Sequence, residues 1–124
     1  MTAKNNLNPV PRELREFCRL FNEEKFFEAH EVLELLWRRE KQNPSAAPGQ
    51  SPRDFYQGLI QIAASFVHVR KKNPAGALSL YKSAARYLNP CPSPCLGIDF
   101  RALLGAAEKC LLEKAPFPRI NFQK

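Results

Sequence analysis

Phe21-Asn22-Glu23-Glu24-Lys25-Phe26-Phe27-Glu28-Ala29-His30-Glu31-Val32-Leu33-Glu34-Leu35-Leu36-Trp37 is the stretch on which the fold turns. Its first part, Asn22 to Lys25, reads as a short polar turn. From Phe26 onward, Phe26, His30, Leu33 and Trp37 recur at i, i+4, i+7 and i+11, the spacing of one helix face. A helix is therefore predicted from Phe26 to about Gln42. Its core-facing stripe carries an imidazole, with Glu34 one turn beyond His30 on the edge. Polar groups set into an aromatic stripe are costly unless they find partners. Glu31 points nearer the solvent side.

Working outward, the same periodicity predicts four more helices. One starts at Pro11 and places Leu14, Phe17, Cys18, Leu20 and Phe21 on one face. Another begins at Ser51, a good N-cap, with Pro52 in the first position and Asp54 in the first turn. It runs to about Lys72, where Asn73-Pro74 ends it. A fourth spans Ala75 to Leu88, packing through Ala77, Leu78, Tyr81, Ala84, Ala85 and Leu88. The fifth runs from about Asp99 to Glu113, with Leu103, Leu104, Ala107 and Leu111 inward. Two Pro-rich loops, 43–52 and 89–97, separate these helices without demanding a domain boundary. No alternating β-branched run signals a strand. The expected fold is all-α: one domain over 1–124, a compact five-helix array of antiparallel hairpins, ordered over about 10–114. A tail with two prolines, 115–124, is expected to lie extended over the surface. Phe27-Glu28-Ala29-His30 and Ala75-Gly76-Ala77-Leu78 each set a small Ala early in a helix after a turn. That gives a loosely tetratricopeptide-like packing, though the spacing exceeds that repeat's ~34 residues.

The third helix carries a matching polar set. Gln57, Gln61 and His68 recur at i, i+4 and i+11, and Gly58 allows close helix approach. If the second and third helices pack, His30, Glu34, Gln57, Gln61 and His68 are expected to form one cluster beside Trp37. Three chemistries fit it. One is a buried hydrogen-bond network that fixes helix register in a basic adaptor protein. Another is a pocket for a small ligand or partner, with Trp37 as a wall and the amides and histidines as anchors. The third is a metal-dependent hydrolase with His30, Glu34 and His68 as ligands. His30-Glu31-Val32-Leu33-Glu34 departs from H-E-x-x-H because its last position is Glu, and no nucleophile stands beside a His. The balance favours a binding module over an enzyme, and no cofactor is assigned.

Bulk properties narrow the setting. The chain has 124 residues, 44% hydrophobic and 25% charged, ordinary for a globular protein. No apolar run approaches the roughly 18 residues of a membrane span. Met1 to Asn6 leads into no apolar signal segment, so a cytoplasmic protein is expected. There the four cysteines, Cys18, Cys91, Cys95 and Cys110, would be reduced thiols. The C-x3-C pair Cys91/Cys95 lacks the second pair that a structural zinc site wants. Nineteen Lys and Arg against 12 Asp and Glu give a net charge of +7. The cations are dispersed, many at helix ends, so no specific nucleic-acid site and no membrane contact are expected. A small-molecule or protein partner, or a homo-oligomer, is compatible with this surface.

Residues 21–37 resemble the F-N-x-x-x-[FY]-[FY]-x-x-H-[ED]-x-L-E-x-x-W signature of the domain of unknown function 309 family. Arg53-Asp54-Phe55-Tyr56-Gln57-Gly58-Leu59-Ile60-Gln61-Ile62-Ala63 is similar to its second block, R-x-F-x-Q-G-L-I-Q-x-A, which His68 follows. Gly97-Ile98-Asp99 resembles a third, so the likeness runs over about 14–112. It implies a small all-helical protein whose pattern is built on His30, Glu34, Trp37, Gln57, Gly58, Gln61 and His68. The family's biochemical role is not established, so the resemblance bears on fold. Where relatives often carry aromatics before Gly97, this chain has Cys91 and Cys95.

Overall fold

The computed structural model describes residues 10–40, 51–92 and 94–121. Five helices follow in order: α1 (Arg12–Asn22), α2 (Phe26–Arg39), α3 (Pro52–Arg70), α4 (Pro74–Leu88) and α5 (Phe100–Glu113). No strand occurs among the described residues; the one β-like feature is an isolated bridge between Cys95 and Ile98. The expected all-α architecture is what the chain adopts. Each helix packs on the next in sequence, with α3 between α2 and α4.

The helix ends are set by local chemistry. Ser51 Oγ accepts from the Arg53 N–H ahead of Pro52, as its spacing predicts. Asn73 does the same for α4, accepting from the Gly76 N–H with Pro74 in the first position. Asn73-Pro74 is thus a starting signal for α4 as well as a stop for α3. Asp99 caps α5 by accepting from the Ala102 N–H. At the other ends, α1 and α3 close with paired backbone bonds around a left-handed residue. Glu24 (φ 62°) donates to the Phe21 carbonyl while Lys25 donates to that of Leu20. Lys72 (φ 59°) donates to Val69 while Asn73 donates to His68. The helix expected to run to about Gln42 stops earlier: Arg39 is its last residue, and Glu40 already takes extended backbone (φ −75°, ψ 124°).

The core is aromatic. Phe17, Phe21, Phe26 and Phe66 meet ring to ring, and Phe55 packs on Phe100. Gly58 lets α4 approach α3 so closely that Leu88 fills the space a Cβ would take. The tail, 115–121, has no helix or strand and is largely half-buried or exposed, but it is anchored more firmly than expected. Phe117 packs against both Phe26 and Phe66, and Ile120 is buried. Asn22 clasps Ile120 through both backbone groups, at 2.8 Å and 2.7 Å. An isolated aromatic and an isoleucine among prolines have no periodicity to betray burial.

Candidate functional site

α2 and α3 run antiparallel. At one end Phe26 meets Phe66 and Arg70 pairs with Glu24; at the other, the Arg53 guanidinium lies 4.1 Å from the Trp37 ring centroid. Counting inward from these contacts sets His30 level with about residue 61 or 62 and Glu34 level with about residue 57. On α3, Gln57, Gln61, Ala64 and His68 fall nearly opposite the buried Phe55, Leu59, Ile62 and Phe66. All four are half-buried, as are His30, Glu34 and Trp37. The stripe on α2 is therefore a seam on the outer side of the helix layer, not a buried network, while the stripe on α3 turns toward α4, the side on which Gly58 meets Leu88 and His68 meets Asn73.

Within the seam, His30 Nδ1 donates to the Phe27 carbonyl at 3.1 Å. Its Nε2 then faces Glu34 Oε2 at 3.6 Å, beyond hydrogen-bond reach. Glu34 also lies 3.5 Å from Arg38. Gln61 Oε1 is buried and has no hydrogen-bond partner. Trp37 is not a core aromatic: Arg53 covers one face, held there by donating to the Glu40 carbonyl at 3.3 Å.

His68 stands apart from the proposed cluster. It lies at the end of α3, about six residues or ~9 Å along the axis from the level of His30. Its Nδ1 accepts from Asn73 Nδ2 at 3.0 Å, so the same amide that caps α4 also engages the imidazole. His68 thus belongs to the α3–α4 joint. The set His30, Glu34 and His68 does not converge, and among the described residues no group of three His, Cys, Asp or Glu is placed to hold a metal ion. The hydrolase expectation loses its ligand set on this geometry. Periodicity put the two histidines on comparable stripes but carried no information on how far along the antiparallel pair each would fall.

The four cysteines are unpaired. Cys91 is buried and donates to the Tyr87 carbonyl; burial pushes its thiol up to about 11 and that of Cys18 up to about 12. Neither is an activated nucleophile. Sequence reasoning missed Arg53 and Asn73, the partners of Trp37 and His68. An asparagine before proline at a helix start was the available signal for the second.

Fold and site together define a class: an all-α protein of successive antiparallel hairpins with half-buried polar residues on its second and third helices. The chain belongs to the family described as Domain of unknown function (DUF309), whose model matches residues 14–80. Uncharacterized protein YpuF of Bacillus subtilis (strain 168) is 33% identical over 63 residues, 51% of this chain. The match spans 32% of that relative's length. The crystal structure of a conserved hypothetical protein from Thermus thermophilus is similar with a TM-score of 0.66 and 30% identity, covering 82% of this chain and 97% of that one. No helix among the described residues is long and apolar enough to cross a membrane.

Proposed function

We propose that the chain is a helical binding module whose polar outer face, the α2 seam with the glutamines of α3, takes a small polar ligand. The supporting observation is Gln61, whose Oε1 is buried without a donor. Leaving such an acceptor dry costs about 1–3 kcal/mol, which a ligand N–H or O–H placed there recovers. Gln57 lies one turn from Gln61 on the same face of α3, and α2 adds His30, Glu34 and Trp37, the last beneath Arg53. A ligand with several donors suits this set, since Gln61 and Glu34 both offer acceptors. The setting we assign is the cytoplasm, where unpaired thiols such as these four persist.

Trp37 is the single tryptophan, so its emission reports on the seam alone. Titration with a panel of free amino acids, polyamines and nucleosides is expected to shift that emission for one chemical class. Gln61→Leu should abolish the response while leaving the helical circular dichroism unchanged. A panel without any response, together with a Gln61→Leu variant more stable than the parent, would overturn the reading.

A further inference from the structure

Residues 115–121 lie on the helices as a bound peptide would. Beyond Ala115, whose N–H donates to the Lys109 carbonyl, they make no backbone-to-backbone hydrogen bond among the described residues. The Ile120 backbone is instead held by one side chain, the Asn22 amide, which donates to its carbonyl and accepts from its N–H. That pair of bonds would form with any residue but proline. Two side chains supply the rest. Phe117 stands against Phe26 and Phe66, with ring centroids 4.8 Å and 5.2 Å away. Arg70, held by Glu24, lies 5.1 Å from the centre of the Phe117 ring. Ile120 is buried three positions on. Between them Arg119 donates to the Asn22 carbonyl at the end of α1, where the helix dipole favours a cation. The occupant does not fill its seat. A cleft of about 350 Å³ stays open between residues 118–121 and α5, lined in part by Ile98, Ala102 and Leu103.

We propose that this groove is a peptide-recognition site held in cis by the tail, and that in trans it takes an extended segment of a partner protein with the pattern aromatic, any residue, basic, branched aliphatic. The backbone clasp makes the site indifferent to most of the sequence, and the seats of Phe117 and Ile120 set the spacing. A tethered tail competes at an effective concentration on the order of millimolar, so a partner succeeds by also filling the open cleft beside α5. The tail of a second copy fits less well. Only Lys114, Ala115 and Pro116 separate α5 from Phe117, a reach of about 10 Å. Two chains of net charge +7 also repel each other. The inference is independent of the polar outer face, since Gln61 and Trp37 take no part in it.

The test uses the full chain and a fluorescent peptide with the sequence of residues 115–121. Phe117→Ser/Ile120→Ser loosens the chain's own tail and leaves Asn22, Phe26, Phe66 and Arg70 in place. By anisotropy this variant is expected to bind the peptide at least about tenfold more tightly than the parent, whose seat is filled. Adding Asn22→Ala should undo that gain, and a peptide with serines for its Phe and Ile should not bind. Circular dichroism checks that the variants keep the parent's helices. Should the double variant lose them, amide exchange in the parent decides: excess peptide should speed exchange at Ile120, and the serine peptide should not. Binding no tighter than the parent's in a helical variant, binding indifferent to Asn22→Ala, or Ile120 exchange untouched by the peptide would overturn the proposal. So would a parent chain that sediments as a dimer and becomes a monomer in Phe117→Ser/Ile120→Ser, because the seat then belongs to a second copy.

Discussion

A methyl group added at Gly58 would stand 2.5 Å from Leu88 Cγ and 2.6 Å from its Cδ2. Leu88 is fully buried and has nowhere to retreat. Gly58→Ala is therefore expected to cost about 1–3 kcal/mol through overpacking. Gly105 is the opposite case: it lies in α5, and nothing stands within 4 Å of an added Cβ. Gly105→Ala should gain about 0.5–1 kcal/mol from chain entropy and helix propensity. Urea denaturation of the two variants beside the parent checks both signs. Gly58 could be read from sequence as a point of close approach, because a glycine inside an apolar helix calls for a packing reason. Which side chain would fill the gap could not be read, since Leu88 is thirty residues away. His68 illustrates the same limit. Its partner Asn73 lies five residues on, within view of a local reading, yet the Asn-Pro pair announces a helix end and a helix start together.

At the scale of elements, spacing revealed all five helices because each buries a face at the 3.6-residue period. The start at Ser51 was legible from its capping side chain, whereas Asn73, which caps α4, was read only as the end of α3. The tail's anchorage was not legible, because it depends on one asparagine at the end of α1. Asn22 both donates to and accepts from the Ile120 backbone, and Arg119 adds a bond to the Asn22 carbonyl. Removing the Asn22 side chain strands two polar groups and loosens Phe117 from Phe26 and Phe66. Asn22→Ala should cost about 1–2 kcal/mol. Amide exchange should accelerate at Ile120 well before it changes in α3. Equal acceleration in both would show that the tail and the helices open as one unit. The polar residues of α2 and α3 were legible as stripes but their depth was not, and His68 falls at the α3–α4 joint: the period places residues around a helix, whereas exposure depends on which neighbours flank it.

For the molecule as a whole, the buried thiols set an alkaline limit. Burial raises Cys18 to about 12 and Cys91 to about 11, against an ordinary thiol value of about 8.5 in the unfolded chain. The raised values favour the fold fully below about pH 8.5. Above that, the unfolded chain releases protons that the folded one keeps, so stability falls as pH rises toward the folded values. The urea midpoint should therefore decline from about pH 9 to pH 11, and less steeply in Cys18→Ala. The whole-molecule order of assembly also follows from the clasp on Asn22. Helices that pack on their sequence neighbours need only short loops to close. The clasp joins positions 98 residues apart, and its closure costs about 2 kcal/mol more than that of a loop of ~10 residues. It is therefore expected to form after the helix layer and to open before it. Loosening it should leave the folding rate nearly unchanged and speed unfolding, so the last residues of the tail govern how long the native protein survives each excursion, rather than how quickly it is made.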